Sequence, residues 1–291
     1  MTESQERKLI QQAAQWIENA DALLIGVGSG MSSSAGYNHY HWSGFFENKL
    51  KLFHEKYGFT SPFAGYYYLY PSYEHQWGYC SAYIGAMLSA PTGEPYLSLA
   101  EIVGDKPHFA VNTNVDAQLE RVIDEHHRYD FQGSFAYLQC SQPCHDELYP
   151  ATDIIAEMTK SLDEDLAVPK DLVPRCPHCG RVMVPWVRDD TFLEGQAWIS
   201  AAHKYQQFLD TWAKEGKHVV LLEVGVGDMT PSIIKFPFWS LAQNYPNVHY
   251  LPVNLSCKYP EYLDRKTTAL QGDAAEMLFL LASQIRKDSH E

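Results

Sequence analysis

An α/β fold built on a parallel sheet is predicted, and three observations predict it. Short apolar runs end in glycine-rich or polar loops at 22–30 (ALLIGVGSG), 107–114 (PHFAVNTN), 128–133 (RYDFQG) and 218–227 (HVVLLEVGVG). Between them lie segments whose apolar residues recur at helical spacing. The loops GVGSG, NTNVD, QGSF and GVGDM all fall at the carboxyl ends of the runs, where open parallel sheets gather their ligands. One glycine pair is usually a tight turn. Four polar strand ends converging on one crevice carry more weight.

Each element follows in order. Residues 4–19 place Leu9, Ile10, Ala13, Trp16 and Ile17 on one helical face. The run 22–30 is a buried strand entering a glycine turn, and SSSAG (32–36) opens a helix rich in small residues. Residues 37–98 hold few strand signals and many aromatics; they read as a helical insertion whose Tyr, Phe and Trp mostly pack on the sheet. The runs 107–114 and 128–133 are short strands. Residues 140–195 read as a compact loop-and-ribbon module. The stretch 218–234 is strand, glycine turn, then a helix opened by Pro231. VHYLPVN (248–254) is a strand and GDAAEMLFLLASQI (272–285) a helix. Segments 1–36, 99–139 and 196–291 thus compose the sheet domain, with 37–98 inserted and 140–195 forming a small domain.

The 291 residues are 45% hydrophobic and 13% aromatic, a globular composition. A formal net charge of −14 argues against a nucleic-acid or anionic-membrane surface. An anionic cofactor would have to rest on backbone N–H groups and a helix N-terminus. No run approaches the roughly 20 apolar residues of a membrane span, and MTESQERKLIQQ lacks the apolar core of a secretory signal. The expected compartment is the cytoplasm, where paired cysteines more often bind metal than form disulfides.

Four of the six cysteines come in two short pairs, Cys140/Cys144 and Cys176/Cys179. That spacing matches a tetrahedral structural zinc site. His145 and His178 are near enough to substitute, but four thiolates already complete the shell and leave no position for substrate.

Taken together, the motifs resemble the sirtuin family over nearly the whole chain apart from the insertion. Gly28-Ser29-Gly30-Met31-Ser32 with Ala35-Gly36 is similar to its first glycine motif. Asn112-Thr113-Asn114-Val115-Asp116 is similar to its Thr-Gln-Asn-Ile-Asp motif, and Gln132-Gly133-Ser134 to its His-Gly-Ser motif. The later glycine turn matches Gly225-Val226-Gly227, and the terminal elements match Asn254 and Gly272-Asp273-Ala274. The resemblance implies a Rossmann-like NAD-binding domain with a zinc ribbon. It further implies that Gly28 and Gly30 let the backbone approach the pyrophosphate with Ser32 as a neutral donor, that Ser29 and Gly36 also bind the cofactor, and that Asp116 and the Val115 backbone grip the nicotinamide amide. Asn114 would orient a ribose hydroxyl, while Gly225, Gly227, Asn254 and Asp273 would line the adenosine end, with Val226 and Ala274 also binding the cofactor. NVDAQLE also reads as a helix start with Asp116 as N-cap, and the two roles are compatible.

Departures from the pattern are informative. The family's Pro-Asp-Phe-Arg is replaced by Asn38-His39-Tyr40-His41, with Tyr40 placed to keep the aromatic role over the nicotinamide. The catalytic histidine has become Gln132, an amide that accepts no proton near neutral pH. With MVPWVRDD after the ribbon, these changes resemble the macrodomain-linked branch. That likeness implies protein ADP-ribosylation, a lipoylated acceptor of the glycine-cleavage H carrier type, and a macrodomain ADP-ribose hydrolase as partner. Arg188 reads either as a positive group near the acceptor or phosphates, or as a surface ion pair with Asp189 or Asp190. Three functions remain: an NAD-dependent protein ADP-ribosyltransferase working through Asn114, Asp116 and Gln132, an NAD-dependent deacylase, and a silent NAD or ADP-ribose binding module. A hydride-transferring dehydrogenase is disfavoured, because no Gly-x-Gly-x-x-Gly with a following acidic ribose anchor is present.

Overall fold

A computed structural model describes residues 3–288; the outermost residues of the segments 1–36 and 196–291 lie outside it. Helix α1 (Glu3–Asn19) buries Ile10, Ala13, Ala14 and Ile17, the i, i+3, i+4, i+7 stripe of its sequence. Strand β1 (Ala22–Val27) is buried along its whole length and runs into the short α2 (Ser29–Ser34). The insertion supplies α3 (Gly44–Tyr57), α4 (Pro62–Tyr66), α5 (Tyr73–Ser89) and α6 (Glu94–Val103). Strands β2 (His108–Asn112) and β3 (Arg128–Asp130) follow. Next come β4 (Gly133–Cys140), β5 (Tyr149–Pro150), α7 (Thr152–Lys160) and β6 (Met183–Val187). The chain closes with α8 (Gln196–Phe208), β7 (Val219–Val224), α9 (Lys235–Asn244), β8 (Val248–Asn254), β9 (Leu270–Gln271) and α10 (Ala274–Asp288).

Six strands form one parallel sheet in the order β3-β2-β1-β7-β8-β9, and β5-β4-β6 form a small antiparallel one. In the large sheet Val27 pairs with Asn112 on one side and Val224 on the other, and Val224 pairs with Val253. This register ends the four central strands at one level. The chain winds outward from β1 in both directions, which leaves a crevice at β1/β7.

The parallel sheet is covered on one face by α1, α6 and α10 and on the other by α8 and α9. A third core departs from the sequence reading. Of the insertion's buried aromatics, Tyr96 packs into the core of the large sheet, whereas Phe46, Phe53, Phe59, Trp77, Tyr79 and Tyr83 join Phe135 and Leu138 of β4 and Ile155 of α7. The physical reason is placement: α5 packs on α7 and β4, so its rings face the small sheet. The sequence reading also missed α7. Pro231 does not open a helix either; residues 228–234 form turns and α9 begins at Lys235.

Candidate active site

Two glycine turns meet at the crevice. The Gly30 N–H donates to the Gly225 carbonyl at 2.8 Å, and Gly225 takes φ +60. A Cβ on Gly28 would lie 2.6 Å from the Val226 Cα, and one on Gly30 would lie 2.8 Å from the Gly225 Cα. These glycines are therefore required by the contact between the two loops themselves, whatever else approaches them. Asn254 Nδ2 braces the second turn by donating to the Val226 carbonyl at 2.8 Å.

Beside the turns runs the segment after β2. Asn112 pins Asn114 twice, accepting from its N–H and donating to its carbonyl, each at 3.0 Å; the same amide donates to Asp130 Oδ1 at 2.8 Å. Asn114 Nδ2 donates to the Gly28 carbonyl at 3.0 Å and to Ser32 Oγ at 3.1 Å. Ser32 is fully buried and its hydroxyl donates to Asp116 Oδ2 at 2.5 Å, so its one proton is committed to that carboxylate. Asp116 Oδ1 accepts from the Gln118 N–H at 3.1 Å. This is a local turn cap: only a 3-10 turn, Leu119–Arg121, follows instead of an α-helix. Ala117 takes φ +61, a strained conformation for a residue with a Cβ.

Burial alone would raise the Asp116 pKa. His39, whose Nε2 lies 3.6 Å away, together with Ser32 and the Gln118 N–H, outweighs it and holds the carboxyl below its ordinary value. Asp116 is therefore a fixed negative charge at neutral pH. His39 Nδ1 lies 2.6 Å from the Tyr83 hydroxyl. The sequence left His39 unplaced.

Gln132 sits at the tip of β3 as the chain turns into β4. Gly133 takes φ +86, and a Cβ there would lie 2.0 Å from the Trp186 carbonyl, so only glycine lets β4 pair this closely with β6. The Gln132 carbonyl accepts from the Arg188 N–H at 3.0 Å, so the two residues share one backbone link. The Arg188 guanidinium lies over Phe192 at 4.2 Å and Phe131 at 4.9 Å. Its Nη1 donates to Glu194 Oε1 at 2.8 Å and its Nε to the Phe131 carbonyl at 3.1 Å. Its ion partner is thus Glu194 and not Asp189 or Asp190. Nη2 is buried without a hydrogen-bond partner among the described residues, a costly state that an anionic or carbonyl ligand would relieve.

A cleft of about 190 Å³ brings these groups together. Gly28, Ser29, Tyr40, Asn114, Val115, Asp116, Gln132, Arg188, Val226 and Gly227 line it, as do His39, Thr113 and the aromatic wall Phe63, Tyr66, Tyr67 and Tyr83. Met229 and Thr230 line it too; no periodicity marks them. Gly30, Ser32 and Gly225 do not line it: Gly30 and Gly225 are packed against each other, and Ser32 is buried against Asp116. Gly36 ends α2, Asp273 caps α10 and accepts from Ser34 Oγ at 2.6 Å, and Ala274 is buried at the start of α10; these three and Asn254 lie outside the cleft lining.

Behind β4, Glu120 accepts from Ser134 Oγ at 3.3 Å and pairs with Arg128 at 3.4 Å. Burial pushes its carboxyl up to about 7, with Arg128 pulling against it and Asp130 adding to it. A folded pKa above the ordinary 4.5 means that the folded state holds this proton more tightly. The resulting stability is present below about 4.5 and is lost as pH rises to about 7. Glu120→Gln is expected to remove this ramp, so that its melting temperature relative to wild type rises between pH 5 and 8. Thermal unfolding at the two pH values checks it.

The four paired cysteines converge as expected. Cys140 Sγ lies 3.6 Å from Cys179 Sγ, and Cys144 Sγ lies 3.6 Å from Cys176 Sγ. Ligands 2.3 Å from a tetrahedral zinc are separated by roughly 3.8 Å, so the four sulfurs fit a structural zinc.

No family model matches the chain. It is 31% identical over 278 residues to a protein ADP-ribosyltransferase of Staphylococcus aureus, covering 94% of this chain and 86% of that protein. A probable bifunctional ADP-ribose hydrolase/ADP-ribosyltransferase of Fusarium oxysporum f. sp. cubense is 27% identical over 233 residues, 77% of this chain and 38% of the longer relative. Among solved structures, a Sir2 enzyme gives a TM-score of 0.60 at 17% identity with 100% of both chains covered. A Sir2 homologue in complex with NAD gives 0.61 at 15% identity, covering 95% of this chain and 94% of the other. These likenesses carry the fold. With the fold from the solved structures and the identity to the bacterial transferase, the chain belongs to the sirtuin family, in its protein ADP-ribosyltransferase branch.

Proposed function

We propose that the protein transfers ADP-ribose from NAD to a nucleophile on a protein acceptor. The observation that carries the reading is the cleft's charge pattern around an amide: a fixed anion at Asp116, a guanidinium with an unsatisfied N–H at Arg188, and Gln132, whose carbonyl accepts from the Arg188 backbone N–H. A cationic nicotinamide suits the Asp116 end, and a phosphate or acceptor carbonyl suits Arg188. NAD supplies a ribose carbon already bound to a positively charged leaving group, so no base is needed for departure. Asn114, held rigid by Asn112, orients the sugar. The Gln132 amide hydrogen-bonds a sugar hydroxyl without removing its proton. The aromatic wall Phe63, Tyr66 and Tyr83 keeps bulk water away.

A carrier protein bearing a lipoyl group is the proposed acceptor, in line with the branch to which the chain belongs. The Fusarium relative, whose name joins an ADP-ribose hydrolase to an ADP-ribosyltransferase, supports a hydrolase that reverses the modification. No helix among the described residues is long and apolar enough to cross a membrane.

Incubation with adenine-labelled NAD and candidate carriers tests the reading. Label retained on protein is expected; an O-acyl-ADP-ribose product would make the enzyme a deacylase, and intact NAD a binding module. Gln132→Ala should slow transfer by about tenfold, the worth of one neutral hydrogen bond. A loss of about 10²-fold or more would exceed what one neutral hydrogen bond supplies, and would sink this role.

A further inference from the structure

We propose that His145, Glu147 and His178 form a second metal site, distinct from the four cysteines and selective for a borderline first-row divalent ion such as Zn²⁺ or Co²⁺. One ligand atom from each residue falls within 4.8 Å of the other two. Both imidazoles aim Nε2 at one carboxylate oxygen: Glu147 Oε2 is 3.3 Å from His178 Nε2 and 3.9 Å from His145 Nε2. Ligand atoms 2.0–2.2 Å from a tetrahedral ion stand roughly 3.4 Å apart, so small side-chain movements suffice to close the site. The rings stack with centroids 4.0 Å apart and planes 22° apart.

Hydrogen bonding decides which face of His145 is offered. Its Nδ1 lies 3.2 Å from Cys144 Sγ and 3.8 Å from Cys176 Sγ. A zinc-bound thiolate is an acceptor, so Nδ1–H donates to sulfur and Nε2 keeps its lone pair. That lone pair lies 2.9 Å from the Tyr149 hydroxyl, which also lies 2.8 Å from Glu147 Oε2. One hydroxyl proton cannot serve both acceptors. A cation would take the imidazole lone pair and one carboxylate lone pair, and leave the Tyr149 proton to the Glu147 carboxylate alone. Two imidazoles and one carboxylate suit Zn²⁺ or its neighbours, and leave a fourth position for water. His178 and Glu147 are half-exposed, which provides an entry path. None of the three residues lines the cleft, and the proposal is independent of the transfer reaction.

The test starts from full-length protein carrying one equivalent of zinc, titrated with Co²⁺, which binds too weakly to displace zinc from thiolates. After gel filtration, wild type is expected to hold one zinc and one cobalt, without the intense sulfur-to-cobalt absorption of a thiolate site. Glu147→Ala and His178→Ala should keep the zinc and bind cobalt at least tenfold more weakly. His126→Ala, on an exposed loop elsewhere, should bind it as wild type does. Glu147→Gln, which keeps the side-chain shape, replaces any variant that fails to fold. The proposal is overturned if wild type retains zinc alone, or if the variants bind cobalt unchanged. It is equally overturned if they lose the zinc, or if cobalt takes on a thiolate spectrum.

Discussion

Asn114→Ala is expected to abolish transfer, lowering the single-turnover rate by about 10²–10³-fold, the loss typical of one preorganised polar group. Two separable effects are expected. The amide donates to the Gly28 carbonyl and to Ser32 Oγ; without it the Gly28 carbonyl keeps the Met31 N–H at 3.0 Å and Ser32 Oγ keeps the Tyr96 hydroxyl at 3.1 Å, so two bonds are lost but no acceptor is stranded. That should cost about 1 kcal/mol, or a few degrees of melting temperature for a chain of this size. The backbone of residue 114 stays pinned by Asn112, so the loop keeps its course and the sheet its register. Circular dichroism at 25 °C should therefore report a folded protein. Rates measured with labelled NAD on that folded sample isolate the catalytic loss. A variant that is folded and transfers within tenfold of wild type would remove Asn114 from the reaction, and with it the assignment of the segment after β2.

How much of this site the sequence exposes follows from what each residue is constrained by. The cleft's strand-tip residues are legible because a parallel sheet in register must end its strands together, so polar letters after apolar runs share one place. The cysteine pairs are legible because metal ligation fixes spacing. The glycine turns are legible as turns, yet their reason was not: Gly28 and Gly30 are small because Gly225 and Val226, almost 200 residues on, press against them. The aromatic insertion misled because composition says that rings are buried without saying against what; α5 turns them to β4 and α7. The support behind the site, Asp130 to Asn112 to Asn114, is carried by side chains 18 and 2 residues apart that no periodicity links. Glu223, alone in an apolar strand, carried a signal that went unread. It is buried with Lys235 Nζ at 2.9 Å and the Tyr250 hydroxyl at 2.7 Å, fixing the start of α9 beneath the second turn.

His39 shows how a departure from a family pattern acquires a physical role. In place of a carboxylate it puts an imidazole 3.6 Å from Asp116, where a second negative charge would have raised the Asp116 pKa rather than lowered it. The exchange at position 39 thus keeps Asp116 ionised, while, by the resemblance, the exchange at 132 leaves an amide where the family carries a proton acceptor. Both changes shift the cleft away from moving protons and toward holding charge.

Loss of zinc should silence the enzyme from a distance, and Cys176→Ser is the variant that shows it. Zinc bound by four thiolates is worth about 10–16 kcal/mol of apparent folding free energy in small zinc modules. Here it ties Cys140, at the end of β4, to the Cys176–Cys179 turn before β6. The same two strands end, at the opposite edge of the small sheet, in the pair Gly133–Val187, and the next link is the Arg188 N–H to the Gln132 carbonyl. The ladder is broken by an irregularity between Ser134 and Leu138, so the metal end constrains Gln132 and Arg188 by holding the two strands together, not through one unbroken register. The six-stranded sheet has separate cores on its two faces, so it should persist without zinc. The expected result for Cys176→Ser, or for chelator-treated wild type, is a transfer rate at least 100-fold lower. Far-ultraviolet circular dichroism should be largely kept, and the near-ultraviolet signal of the aromatic core around β4 and α5 lost. Transfer at the wild-type rate by a zinc-free sample would show that Gln132 and Arg188 are positioned by the large sheet and the rings around Phe131 and Phe192, with no help from the ladder.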